Sequence, residues 1–262
     1  MKHGLQKQAV LSAIVLLAFA GGLFAQTSFT LTGVTTSAQM GGVYTSPYFA
    51  TIQTAGNTQT GVDVICDDFT DEVWINESWS VVATSLASLP DLGTNSPVLW
   101  DTGLSQGAQQ VEDYMTAAIL SAQLLSINNP STQQAEDLSF AIWDVFDPGA
   151  SSGLSAADQA NITGVGGYLP TAQALAASDL AAAGNIAAAL ALDNIANVTI
   201  YTASPKSGGA VTYCPNGPGG CSAPQEFLVI NMAEPPSPAL LAVDLLAVLG
   251  LVLFVRRRMV RV

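Results

Sequence analysis

Between two apolar segments at its ends, the chain carries a single basic residue, Lys206. The other Lys and Arg are Lys2, Lys7, Arg256, Arg257, Arg258 and Arg261, and the one histidine is His3. All the acids except Asp244 fall in residues 26–238, which leaves nineteen of them against one lysine, a net −18. A surface of that sign has nothing to displace the counterions of a phosphate backbone, so nucleic acid is excluded as a partner. With no histidine in the body there is no Ser-His-Asp or Cys-His machinery and no His-ligated zinc. Carboxylate chemistry or a reactive cysteine is what remains. The acidity also has a plain physical use, solubility and self-repulsion.

The two ends read as export and retention signals. Lys2 and Lys7 precede an apolar stretch from Ala9 to Ala20, and small residues suit signal cleavage after Ala20 or Ala25. A signal helix over 1–25 is expected, with Gln26 the preferred first residue of the mature chain. At the other end, 239–255 is apolar except for Asp244 and is followed by the arginines. At 1.5 Å per residue its 17 residues approach the lower limit for crossing a core of roughly 30 Å. Basic residues favour the cytoplasmic side, which puts the C-terminus inside and the body outside. A carboxylate in mid-membrane costs about 2.5–3.5 kcal/mol, so this transmembrane helix is a marginal anchor.

The body alternates in character. Residues 28–104 read as β: Phe29 and Leu31 alternate with threonines, Val62 to Ile65 is a short apolar run, and Val73/Ile75 then Trp79/Val81/Ala83 show period two. Residues 107–196 read as helical. Val111, Met115, Ala118, Ala122 and Leu125 recur at three and four, and Asn128-Asn129-Pro130 stops them. Ser131-Thr132-Gln133-Gln134 has the capping-box form and opens a helix with Ala135, Leu138, Ile142 and Val145 on its inner face. Ser155 to Asp158 is a second such box, and the Ala-rich run 171–192 predicts a helical pair broken at Gly184-Asn185. Val198, Ile200 and the run Phe227 to Ile230 return to β. The order predicts an α+β fold, an antiparallel β-sheet or barrel with a helical insertion over about 107–196, inside an extracytoplasmic domain of residues 26–232.

Three features suggest local chemistry. Cys214 and Cys221 bracket Pro-Asn-Gly-Pro-Gly-Gly, a turn that a disulfide would close, which leaves Cys66 as a small buried hydrophobe. Asp63, Asp67, Asp68, Asp71 and Glu72 crowd ten residues. Calcium takes six to eight oxygens, but the spacing lacks a calcium loop's pattern, and a solvated strand end and turn is the plainer expectation; a metal role stays open. Trp74, Trp79, Trp100 and Trp143 sit in apolar patterns and are expected in the core rather than stacked on sugars. No cofactor is implied.

The C-terminal stretch Ala233-Glu234-Pro235-Pro236-Ser237-Pro238, an apolar helix and then Arg256, Arg257 and Arg258 resembles the PEP-CTERM sorting signal of bacteria that make exopolysaccharide. Ala233 stands where that motif has its first Pro. The resemblance covers 233–262 and implies recognition and processing by an exosortase-type enzyme, with exopolysaccharide as a possible associate. Glu234, Pro235, Pro236 and the arginines would be the sorting residues. Ile65-Cys66-Asp67-Asp68-Phe69, Phe140-Ala141-Ile142-Trp143-Asp144-Val145-Phe146 and Gln225-Glu226-Phe227 look like a recurrent PEP-CTERM ectodomain. A Cys-x-Asp strand followed by an Ala-Ile-Trp helix is also similar to the thioester domains of bacterial surface adhesins, in which Cys joins a Gln of a Thr-Gln-x-Ala-Ile-Trp motif. Here Leu138 and Ser139 hold the Thr-Gln positions, which implies a shared fold without the thioester.

Together these readings predict an exported structural protein of the cell surface or matrix, without enzyme activity. Two alternatives stand beside it, a carbohydrate- or cation-binding adhesin and a secreted hydrolase using paired carboxylates.

Overall fold

The computed structural model describes residues 27–34, 39–71, 73–92, 97–100, 107–127, 132–204 and 224–232. The signal segment 1–25, the Cys214–Cys221 loop, Lys206 and the sorting tail with Glu234, Pro235, Pro236 and the arginines lie outside them. Among the described residues no helix is long and apolar enough to cross a membrane.

Among the described residues eight strands run in chain order: β1 Thr27–Val34, β2 Gln39–Met40, β3 Val43–Tyr44, β4 Tyr48–Thr54, β5 Asn57–Cys66, β6 Ser78–Ser85, β7 Ile195–Ala203 and β8 Phe227–Met232. Six of them close an antiparallel barrel in the order β1-β4-β5-β8-β7-β6, and β2 and β3 form a separate small hairpin. The α-helices lie between β6 and β7: α1 Leu89–Leu92, α2 Ala108–Ser126, α3 Thr132–Phe146, α4 Ala156–Ile162, α5 Tyr168–Ala183 and α6 Ile186–Leu192. The expected α+β class is therefore realised as a closed barrel with its helices inserted between two adjacent strands.

Period-two alternation aims every second side chain inward. Phe29, Leu31, Tyr48, Ala50, Ile52, Val64, Cys66, Trp79, Val81 and Phe227 fill the barrel. Phe29 lies 5.0 Å from both Trp79 and Phe227 by ring centroid. The outward residues Ile65, Val198, Ile200, Leu228 and Ile230 meet the helices in a second core. Strand β8 is covered on both sides, which is why Phe227 to Ile230 reads as a continuous apolar run rather than an alternating one.

Helix α2 packs against α3, α5 and β8 and is buried nearly all round from Tyr114 to Leu120. Its polar residues are satisfied within the helix: Thr116 and Ser121 donate to the carbonyls of Glu112 and Ala117 at 2.8 and 2.6 Å. In α3 the expected face, Ala135, Leu138, Ile142 and Val145, is buried. The Ala-rich run divides as expected. Gly184 ends α5 at φ +72°, and Asn185 caps α6 by accepting from the Ala188 N–H at 2.9 Å. Ser155 caps α4 through the Asp158 N–H.

Two readings need correction. Val73 and Ile75 are not in a strand; β6 begins at Ser78, because Asn76 turns the chain at φ +72° and its N–H donates to the Leu31 carbonyl at 2.5 Å. The β reading of 28–104 also misses a 3-10 turn, Leu86–Ser88, and α1.

Candidate functional site

The barrel closes between β5 and β8 through only two residue pairs, Ile65 with Leu228 and Cys66 with Phe227. The same register carries one step further, where the Asp67 N–H donates to the Glu226 carbonyl at 3.5 Å. Asp67 and Glu226 are therefore cross-strand neighbours. By alternation both point away from the barrel interior, toward the side on which Ile65 and Leu228 meet the helices. Both are fully buried, at 0% and 1% exposure. Like charges placed so would repel, and no Lys, Arg or His occurs among the described residues to offset them.

Hydrogen bonding separates their roles. Glu226 Oε1 accepts from the Tyr114 hydroxyl of α2, and Oε2 accepts from the Thr202 hydroxyl of β7 and from the Leu99 N–H at 2.8 Å. Asp67 has no donor on either oxygen. Burial, then the charges of Glu226 and Asp68, push the Asp67 carboxyl well above its usual range. Burial also raises Glu226, and the donors Thr202, Tyr114 and Leu99 oppose that rise. Two buried carboxyls are thus cross-strand neighbours, and Glu226 is held by three elements at once.

The adjoining loop is pinned from several directions. Asp68 Oδ1 accepts from the Thr70 N–H and hydroxyl at 2.9 and 2.8 Å and from the Asp71 N–H at 3.2 Å. Gln225 donates its amide to the carbonyls of Asp68 and Asp71 at 2.9 and 2.6 Å. Phe69 packs on Trp143 and Phe140 at 5.1 and 5.7 Å, and Trp143 donates its ring N–H to the Cys66 carbonyl at 3.0 Å. Asp71 is raised to about 6 by burial, by the charge of Asp68 and by hydrogen bonding to it. A similar pair lies apart from this loop: Asp193 is raised to about 6 by burial and by Asp179.

The acidic run is thus not a solvated strand end. Asp63 is exposed, but Asp67 and Asp68 are wholly buried, because the β5 ladder continues past Cys66 into the helix-covered side; Glu72 lies outside the described residues. Among the described residues no three carboxylate or thiol groups are placed to hold a metal ion.

Cys66 is a free, buried thiol. It donates to the Asp68 carbonyl at 3.1 Å, and burial, then the charges of Asp68 and Asp67, push it well above its usual pKa. The helix positions corresponding to the thioester motif offer it nothing. Leu138 is in the core, and Ser139 donates to its own helix at the Ala135 carbonyl, 2.8 Å away. Gln133 points elsewhere, donating to Asp137 and Asp158 at 2.8 and 3.0 Å.

Of the tryptophans, Trp79 and Trp143 are buried as expected, and Trp100 stacks on Phe146 at 5.4 Å. Trp74 departs from the expectation, at 40% exposure beside the equally exposed Ile75, since it precedes the strand. Sequence reasoning did not assign roles to Glu226, Tyr114 or Thr202. The signal was present in outline: an acid abutting an apolar strand, in a body almost without cations, needs hydroxyls, backbone N–H groups or another acid's proton.

No protein-family model matches this chain, and no curated protein matches it. Two solved structures do. One is the N-terminal domain of the Streptococcus pyogenes pilus tip adhesin Cpa, at 10% identity and a TM-score of 0.34. The other is the N-terminal thioester domain of fibronectin-binding protein SfbI from Streptococcus pyogenes, at 10% identity and a TM-score of 0.31. Each alignment covers 82% of this chain and 97% of the other. Superpositions this loose transfer no residue roles.

Proposed function

We propose that this chain is an exported structural protein of the cell surface or matrix, sorted through its 233–262 tail and without catalytic activity of its own. The observation that carries the reading is the placement of Asp67 and Glu226. A hydrolase built on paired carboxylates needs them across a cleft that admits substrate and water. Here the facing pair is sealed, and the Glu226 oxygens are occupied in joining the barrel to α2 and β7. The strongly acidic body and the signals read at both ends fit export to a hydrated exterior. An exosortase-type enzyme is the processing partner the tail implies, and exopolysaccharide the matrix it would enter.

The test is fractionation of the native host with intact-mass measurement of the chain. A surface or matrix form beginning at Gln26 and lacking or modified beyond Glu234 is expected. A cytosolic chain that retains residues 1–25 would overturn the proposal, and a surface form still carrying Arg256–Val262 would replace processing by simple anchoring.

A second reading, a carbohydrate-binding adhesin, rests on one observation, the exposed Trp74 with Ile75 beside it. An exposed indole offers a sugar an apolar face. It predicts glycan-dependent quenching of tryptophan fluorescence that Trp74→Ala abolishes; quenching that survives the substitution would remove it.

A further inference from the structure

Asp67 and Glu226 do more than fill space. The pair lies at the shortest ladder of the barrel, where β5 and β8 share two residue pairs. Through Glu226 it also ties in α2 at Tyr114, β7 at Thr202 and the 97–100 segment at the Leu99 N–H. Both side chains are out of reach of solvent, and both Asp67 oxygens lack a donor. Among the described residues, the titratable groups near the pair are Tyr114 from α2 and Asp68 from the loop after β5, with Asp71 beyond Asp68 and the Cys66 thiol on the opposite, barrel face of β5. The 97–100 segment and β7 contribute an N–H and a hydroxyl, and no Lys, Arg or His among the described residues faces the pair. A second negative charge there would have no cationic partner among the described residues.

We propose that the Asp67–Glu226 pair is a one-proton latch: with the proton in place it locks α2, the 97–100 segment and the β5–β8 seam together, and loss of the proton releases them. The direction follows from linkage. Asp67 is held above its unfolded value, so its contribution to closure is complete below about pH 3.9 and is lost as pH rises toward the folded value. Within that window each opening releases one proton, and the opening equilibrium rises about tenfold per pH unit. Asp71, at about 6, adds to the slope only below that pH, so pH 6 to 8 isolates the latch.

Hydrogen exchange on the full mature chain, corrected for the intrinsic pH dependence of exchange, reads the opening of α2, residues 97–100 and β8 directly. The wild type is expected to open more as pH rises from 6 to 8, by at most about tenfold per unit. Asp67→Asn keeps a donor toward Glu226 but has no proton to lose, so its opening should be flat over the same range. Glu226→Leu should open at every pH, since it can accept from none of Tyr114, Thr202 and Leu99. A flat wild-type profile, a wild-type slope in Asp67→Asn, or equal behaviour of the two variants would each overturn the latch. If Asp67→Asn does not fold, isotope-edited infrared spectra of the wild type decide the matter: a protonated Asp67 carboxyl at pH 6 supports the latch, and an ionised one refutes it.

Discussion

Replacing Tyr114 by Phe removes one oxygen from a buried site in which Glu226 accepts three hydrogen bonds. The ring stays, packed at 4.9 Å on Phe146, so no cavity larger than a hydroxyl is left. The loss is the donor to Glu226 Oε1 and the acceptor of the Trp100 N–H at 3.4 Å. A hydrogen bond to a charged group is worth about 1.5–3 kcal/mol. Glu226 keeps Thr202 and Leu99, so the penalty should be about 2 kcal/mol rather than that of an orphaned carboxylate. For a domain of this size, that lowers Tm by about 4–8 °C. The sign with pH is fixed as well. Without Tyr114 the folded Glu226 carboxyl rises further, so the variant's deficit should be larger at pH 7 than near pH 4, where a protonated carboxyl needs the donor less. Urea unfolding at both pH values, with Tyr44→Phe at an exposed hydroxyl as control, measures the difference. A loss below about 0.5 kcal/mol at pH 7, or a loss that grows toward pH 4, would refute the assignment of Glu226 as the charged acceptor.

Three further outcomes follow from the same structure. Asp71 and Asp193, both raised to about 6, contribute stability that is complete below about pH 3.9 and is lost as pH rises through 6; thermal melts should give a higher Tm at pH 4 than at pH 7, and a lower one would contradict the carboxyl pairing. Phe227→Ala empties the centre of the barrel beside Phe29 and Trp79 and should cost about 3–5 kcal/mol in denaturant titration; a cost below about 1 kcal/mol would mean that the barrel collapses around the gap. Alkylating reagents should reach Cys66 only after unfolding, and non-reducing peptide maps should show Cys214 bonded to Cys221; Cys66 found in a disulfide, or cross-linked to a glutamine, would overturn both assignments.

Much of this architecture is legible in the sequence because it depends on local periodicity. The buried face of α3 follows from 3.6-residue spacing, the break at Gly184-Asn185 from the conformation only such residues adopt readily, and the inward residues of β1 from strict alternation. The failures share a different cause. Val73 and Ile75 alternate correctly but precede a left-handed Asn76, a backbone event that apolar spacing does not encode. Asp67 and Asp68 read as surface because charge normally stays in water. What holds Asp67 inside is Glu226, a partner on the far side of the whole helical insertion, and no local pattern announces a cross-strand neighbour at that distance in sequence.

That long separation between β6, which ends at Ser85, and β7, which starts at Ile195, also sets the order of assembly. The first four barrel strands can associate early as a curved, open sheet, and the helices can form from contacts near in sequence. Until β7 and β8 are made, β5 and β6 present unpaired edges, the kind of surface on which sheets aggregate. Ring closure must then meet the entropy of a long loop with a ladder of only two residue pairs at its last joint. Folding speed and yield should therefore be governed less by the well-packed barrel interior than by how soon the helical layer offers β8 a place to dock.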